Sequence, residues 1–316
     1  MKFRFTIPRK LREAGILSIN NRNSQYIMPY NHRKFFPLVD NKVLTKKYAV
    51  KHGVATAGII GVIKHHYQVA DLEKIVRRHQ EFVIKPATGS GGRGITVVCE
   101  HDNEHFVLAN GDVINMRQIR QHVFDTLSGL YSLGGQPDWV LIEEKINFSE
   151  ELKDYSYRGV PDARIIIFKG YPVMAMLRLA TRKSAGRANL HQGAVGVGIS
   201  VKDGRALAAV ADDKPVTHHP DNGKHLHEIL LPRWDEHLEI AVRCHEMLKL
   251  GYLGADIAMD RDRGPLMLEV NVRPGLAIQI ANHTGLRPRL ELIESLSENA
   301  HSGIEERIAF SRENFD

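Results

Sequence analysis

The stretch from residue 81 to residue 99 limits the fold more than any other part of the chain. Residues 81–86 read as one strand and 95–99 as another, and between them lie Gly89, Gly91, Gly92 and Gly94. Gly89, Gly91 and Gly94 satisfy G-x-G-x-x-G, but a dinucleotide-binding fingerprint opens a helix at its last glycine. Here β-branched Ile95, Thr96, Val97 and Val98 follow, so the chain returns into a strand. No Gly-Lys-Ser/Thr follows either, which excludes a Walker A loop. A strand–glycine turn–strand flap lets backbone N–H groups approach phosphate oxygens without a Cβ in the way. Lys85, at the end of the first strand, sets a charge beside the same phosphates. The plain alternative is a glycine hairpin with a surface lysine. Protein kinases use a comparable flap, but neither His-Arg-Asp nor Asp-Phe-Gly occurs, so the flap points to a different ATP fold.

Around this flap the chain reads as α+β, because strands outnumber simple βαβ alternations. At about 100–200 residues per domain, 316 residues suggest two domains or three small ones. Residues 1–40 are basic and Asn-rich and read as an irregular arm. Asp40 is placed to cap a helix over 41–52 that Gly53 stops. Further helices are expected at 71–79, 115–130 and 234–250, and strands at 139–146, 163–168, 171–179, 256–260 and 266–270. Residues 182–198, rich in Gly, Ser, Asn and Arg, read as a mobile loop, and the end of the chain as helical, then polar and frayed. The expected division is an arm (1–40), a first subdomain (41–145), a second (146–300) and a polar tail (301–316).

Composition narrows the function. Lys and Arg number 43 against 37 Asp and Glu, a formal charge of +6 spread along the chain without a basic block. That suits a site for several phosphates or an acidic substrate better than nucleic acid as the main partner. Two cysteines, Cys99 and Cys244, exclude a disulfide framework and a Cys-based zinc site, and both read as core residues. They suit a reducing, cytoplasmic setting. No run of about 18 apolar residues exists to span a membrane, and the start lacks a secretory signal.

A second set of residues carries chemistry near the end of the chain. On an extended strand Glu269 and Asn271 point to one face. Asp256 sits on the strand before them, so three oxygen donors can converge from a hairpin. Mg²⁺ prefers such hard oxygens and keeps places for waters and nucleotide phosphates. The alternative is a buried salt bridge beside an Asn-initiated turn. Trp139–Ile146 is a strand that runs into a break, where free backbone groups could meet an adenine edge.

Taken together these residues resemble the ATP-grasp superfamily, most of all the alpha-L-glutamate ligase-like proteins, relatives of the ribosomal-protein glutamate ligases. Asp40-Asn41-Lys42, with Thr45-Lys46 and Gly53, looks like the first phosphate lysine at the head of a helix. Lys85 and its flap, with Gly91 and Gly92, match the second lysine and its loop. Leu141–Ile146 matches the hinge that holds adenine, giving Glu144, Lys145 and Ile146. Asp162-Ala-Arg164 resembles the family's Asp-x-Arg, Arg178 its catalytic arginine, and Asn189-Leu-His191 its Asn-Leu-His loop. Asp256, Glu269 and Asn271 match the metal-binding end, and the whole series runs over roughly residues 40–290.

The resemblance implies two α+β subdomains that clamp MgATP, with one or two Mg²⁺ (or Mn²⁺). A substrate carboxylate would take the γ-phosphate as an acyl phosphate, and an amine would then displace phosphate. Lys42 and Lys85 would neutralise nucleotide phosphates, and Arg178 would stabilise the transferring group. Arg273 would bind the acyl phosphate or the substrate carboxylate. Glutamate or another amino acid added to a peptide or protein is the expected reaction. The rivals are a cell-envelope sugar or lipid acceptor and a non-catalytic ATP-binding regulatory module. Typical members carry an extra domain before the first lysine, where this chain has only a truncated arm. Its stretch at 15–23, GlyIleLeuSerIleAsnAsnArgAsn, resembles the start of ATP-grasp proteins grouped as sugar-transfer associated. The histidines at 218–227 invite a zinc reading, but no Cys joins them and a solvated loop fits better.

Overall fold

The computed structural model describes residues 6–89, 91–297 and 300–315. Ser90, in the glycine turn, and the first five residues lie outside the described set. The chain divides into two compact units. One is continuous, Pro37–Asn147, and the other joins the residues up to Phe36 with those from Phe148 onward.

The continuous unit is built on a six-stranded antiparallel sheet. Its strands are β1 (Ile59–Ile63), β2 (Phe82–Pro86), β3 (Thr96–His101), β4 (His105–Leu108), β5 (Val113–Asn115) and β6 (Val140–Glu143), in the order β1-β6-β2-β3-β4-β5. Strand parity decides what each face carries. Phe82 and Ile84 on β2, with Val140 and Ile142 on β6, enter a core with Leu72, Ile119, Val123 and Leu127. The latter three come from the helix Met116–Leu127, whose amphipathic face supplies them. Lys85, Leu141 and Glu143 fall on the opposite parity. There the helix Lys42–Lys51 covers the sheet, with Val43 packed on Ala87 and Leu141. Its cap is Asn41, whose side chain accepts from the N–H groups of Val43 and Leu44 at 3.0 and 3.2 Å. Asp40, expected in that role, instead ends a short preceding helix, Pro37–Asp40, while Asn41 has the extended backbone a cap requires.

The second unit carries a seven-stranded antiparallel sheet. Its strands are β7 (Asp162–Phe168), β8 (Tyr171–Leu179), β9 (Val195–Ile199), β10 (Ala206–Ala211), β11 (Lys214–Pro215), β12 (Tyr252–Asp260) and β13 (Gly264–Asn271), in the order β11-β10-β9-β8-β7-β12-β13. Lys169 and Gly170 turn β7 into β8 with φ of 49° and 86°, as a tight hairpin with two left-handed residues requires.

Three expectations change here. The last four residues of 182–198 belong to β9, every residue of which is buried. Its glycines read as loop formers, but a Cβ on Gly198 would stand 2.6 Å from the carbonyl of Ala281, so they serve close packing. The tail is the helix Ile304–Asn314, pinned by buried Arg307 and Ser311 and by Phe315. Residues 6–36 are largely helical, where an irregular arm was expected. Tyr26 and Tyr30 meet the Phe168 ring edge-on at 5.4 and 5.0 Å, and the Asn31 amide pairs with the backbone of Tyr252 in both directions. Of the two cysteines, Cys244 is buried and Cys99 only half-buried.

Candidate active site

In the continuous unit, the face opposite the core holds a buried ion triad. Lys85 Nζ stands 2.5 Å from Glu143 Oε1, and Lys46 Nζ 2.8 Å from Glu143 Oε2. Val83 pairs with Glu143 and Lys85 with Leu141, so Lys85 and Glu143 are diagonal neighbours on one face. Lys46 lies one helical turn beyond Lys42 and also donates to Thr56 Oγ1 at 2.7 Å and the Ala57 carbonyl at 2.8 Å. Burial pushes the Glu143 carboxyl up, but Lys85 and Lys46 outweigh it and hold the group below its usual range. Neither Lys46 nor Glu143 is among the site residues expected from the sequence.

Lys42 Nζ donates to the Gly89 carbonyl at 2.6 Å, and its backbone N–H to Ala87 at 2.9 Å. Thr88 N–H bonds the Asp138 carboxylate, so the root of the glycine turn is anchored on both sides. Gly91 and Gly92 have φ of 65° and 73°, and a Cβ on Gly91 would meet nothing within 4 Å. At Gly91 the turn thus combines left-handed backbone with open space, which suits N–H groups facing an anion, while Gly89 and Gly94 are packed against Pro86 and Tyr131. Beyond β6, Glu144 exchanges bonds with Gly58. Lys145 Nζ binds Glu81 at 2.6 Å, and Ile146 is buried.

In the second unit four adjacent strands deliver one continuous row. Register places Arg178 of β8 opposite Asp162 of β7, Arg164 of β7 opposite Asp256 of β12, and Asp256 opposite Glu269 of β13. Arg178 Nε donates to Asp162 Oδ1 at 2.6 Å and its Nη2 to Asp256 Oδ2 at 2.6 Å. Arg164 grips Asp256 with two bonds, Nε to Oδ1 at 2.7 Å and Nη2 to Oδ2 at 2.6 Å. Asn271 Nδ2 reaches Asp256 Oδ2 at 3.2 Å and Glu269 Oε1 at 3.4 Å.

Burial opposes the charge of Asp256, but Arg164 and Arg178 overcome it and hold the carboxyl at about 2. Burial wins at Asp162, which is pushed up to about 7 although Arg178 pulls the other way. Arg178 itself is lifted above its usual value against its own burial by Asp162, Asp256 and Glu269. Two guanidiniums therefore face three carboxyls, a balance that leaves room for added positive charge.

Asp256, Glu269 and Asn271 offer only hard oxygen donors, and the Asn271 amide touches both carboxylates. Among the described residues no group of three or more His, Cys, Asp or Glu is placed to hold a metal. Both Asp256 oxygens are engaged by the arginines and Asn271 turns its NH₂ to the carboxylates, so an ion here would require the amide to turn its oxygen inward; two carboxylates and an amide oxygen are then the hard donors that Mg²⁺ prefers.

The remaining sequence candidates lie outside this row. Arg273, just past β13, stacks its guanidinium on Phe36 at 5.4 Å. Asn189 caps a short 3-10 turn, its side chain accepting from the N–H of His191 at 3.1 Å, and His191 is exposed. Neither makes a hydrogen bond to the row. His218 Nε2 lies 3.2 Å from His225 Nε2 on the exposed 218–227 loop. No helix among the described residues is long and apolar enough to cross a membrane.

A family model described as sugar-transfer associated ATP-grasp matches residues 21–295. No curated protein matches the chain in sequence. Among solved structures, D-alanyl-alanine synthetase A from Vibrio cholerae is 10% identical with a TM-score of 0.46, covering 88% of this chain and 66% of that one. The D-alanine–D-alanine ligase from Bacillus anthracis complexed with ATP is 15% identical with a TM-score of 0.42, covering 87% and 66%. A RiPP-associated ATP-grasp ligase from Chryseobacterium gregarium, in complex with ADP and a leader and core peptide, is 13% identical with a TM-score of 0.47, covering 85% and 63%. The chain therefore spans less than two thirds of the length of these structures, and the family match alone carries the assignment.

Proposed function

We propose that this chain, which belongs to the sugar-transfer associated ATP-grasp family, is an ATP-dependent ligase that joins a carboxylate to an amine. The observation that carries this reading is the row Arg178–Asp162–Arg164–Asp256–Glu269–Asn271, which sets two guanidiniums beside a sparse oxygen-donor set. In the first step a carboxylate oxygen attacks the γ-phosphorus and the bond to ADP breaks, leaving an acyl phosphate. In the second, the amine attacks the acyl carbon, the C–O bond to phosphate breaks, and the amine loses a proton.

Carboxylate and ATP repel each other, and positioned cations offset that repulsion. Lys42 and Lys85 neutralise nucleotide phosphates. Lys85 is held in place by Glu143, so its charge needs no reorganisation when the nucleotide binds. Arg178 stabilises the transferring phosphoryl group, as fixed cations do in phosphoryl transfer. Asp256, Glu269 and Asn271 hold Mg²⁺, or Mn²⁺ in its place, which supplies positive charge to the phosphates when bound. Gly91 and Gly92 let the flap backbone approach the nucleotide, and Glu144, Lys145 and Ile146 face its base.

Glutamate or another amino acid is the leading carboxylate, and a peptide or protein the leading amine. The family's association with sugar transfer favours a second acceptor class, a cell-envelope sugar or lipid. With two cysteines and no disulfide among the described residues, we place the reaction in the cytoplasm.

The test is phosphate release from MgATP in the presence of pooled amino acids and short peptides. A ligase gives stimulation by one acid–amine pair and an adduct with the mass of their sum less water. Lys85→Ala and Glu269→Ala should each abolish turnover with far-UV circular dichroism unchanged, since Glu143 keeps Lys46 as a partner when Lys85 is removed. Near-normal rates in either variant would remove the site from consideration.

A further inference from the structure

Arg22 is a buried cation without a matching anion. It is 7% exposed, and among the described residues it forms no ion pair. Its Nη1 donates to the Pro274 carbonyl at 2.7 Å, and its Nε and Nη2 share Asn23 Oδ1 at 3.2 and 2.9 Å. A guanidinium carries five N–H donors; these bonds use three, so two are left over.

Its neighbours sharpen the imbalance. Burial holds the Arg22 guanidinium below its usual value; Tyr252 acts in the opposite sense, and the cation Arg273 adds to the lowering. The Tyr252 hydroxyl is buried and has no hydrogen-bond partner among the described residues. Unpaired buried charge is costly, and the bond to the Pro274 carbonyl engages only one N–H of the guanidinium. Three bonds to neutral acceptors leave that charge uncompensated.

The place is equally informative. Pro274 follows Arg273, three residues beyond Asn271 at the end of the row. A Cβ on Gly254, opposite Asn271 and two residues before Asp256, would come within 2.7 Å of Pro274. Arg22 is thus bound to the turn that closes the row. It stands on a six-residue π-helix, Arg22–Ile27, a geometry that recurs at functional sites. Arg273 is exposed and gives the pair an open side.

We propose that Arg22, with Arg273, forms the subsite that takes the carboxylate of the acid substrate. Two guanidiniums on one anionic group match the fork geometry with which arginine recognises carboxylates. Asn23 orients the Arg22 fork, and the anion supplies the missing counter-charge. This rests on the ligase reading, but it assigns a residue from the first part of the chain to the substrate end of the row.

The test needs no turnover, so its failure is separable from failure of the ligase reading. Acetate and inorganic phosphate are each titrated against chloride at fixed ionic strength, with thermal unfolding as readout, for the wild type, Arg22→Gln and Arg273→Gln. The expected result is a saturable rise in Tm with acetate in the wild type, at least tenfold weaker in apparent Kd for both variants. Arg22→Lys should recover part of it. If Arg22→Gln does not fold, the exposed Arg273→Gln decides. No saturable acetate effect in the wild type, an equal effect in the variants, or a response to phosphate alone would overturn the carboxylate assignment.

Discussion

Asp162 and Asp256 lie side by side in one row and titrate in opposite directions. Asp256 shares its oxygens among Arg164, Arg178 and Asn271, so its ionised form is favoured despite complete burial. Asp162 has Arg178 on one oxygen and the negative Asp256 nearby, and burial prevails. The two have opposite consequences for stability. Asp256, held at about 2 when folded, stabilises above its unfolded value of 3.8 and loses that contribution as pH falls towards 2. Asp162, raised to about 7 when folded, favours the native state at low pH and loses that advantage as pH rises from 3.8 through 7. Urea unfolding of the wild type and Asp162→Asn should therefore diverge, the wild type falling behind the variant between pH 4 and 7. A difference that stays constant over that range would mean that Arg178 governs the carboxyl and holds it below 3.8. Glu143 faces a different outcome. Its loss in Glu143→Ala leaves Lys46 and Lys85 buried without their shared anion, and should cost about 3–5 kcal/mol in chemical denaturation.

The strands explain why these groups meet. Alternation along β2 and β6 sends Phe82, Ile84, Val140 and Ile142 to the core and leaves Lys85 and Glu143 on the other face. Alternation along β13 likewise brings Glu269 and Asn271 together, and that much could be read from residue spacing. Glu143 could have been found the same way, because it sits an odd step from Ile142; next to Glu144 at the end of an apolar run, it read as part of the hinge. Lys46 needed the helix phase, four residues from Lys42. Arg22 left no local signal, since its partner Pro274 is 252 residues away in sequence. The β9 glycines misled for a related reason: their composition is that of a loop, and only the packing of Leu190 on Gly196 and of the Ala281 backbone on Gly198 shows why side chains are missing. Gly254 is the comparable position in β12. Gly254→Ala should cost about 1–3 kcal/mol by overpacking against Pro274, read as a lower urea midpoint, and should weaken acetate binding by displacing the turn that Arg22 holds.

At the scale of the whole molecule, one unit is continuous in sequence and the other is assembled from two separated pieces. Residues 37–147 contain their own core, so the excised segment should unfold cooperatively in urea with native-like circular dichroism. Residues 148–316 alone should not, because Phe168 and Tyr252 would lose the cover of Tyr26 and Tyr30; a sharp transition in that fragment would show that the early helices are dispensable. The same arrangement imposes an order on the nascent chain. Residues up to Phe36 leave the ribosome before the elements they pack on: their partners on β7 and β12 are translated only after the whole continuous unit. At about 5–20 residues per second, the stretch from Tyr30 to Tyr252 takes roughly 10–45 s to make, so Tyr26 and Tyr30 wait that long for Tyr252, while the six-stranded sheet, made earlier than Tyr252, can already close. Handling by chaperones that hold early apolar segments, rather than those that act on finished domains, is therefore the step on which production of this protein should depend.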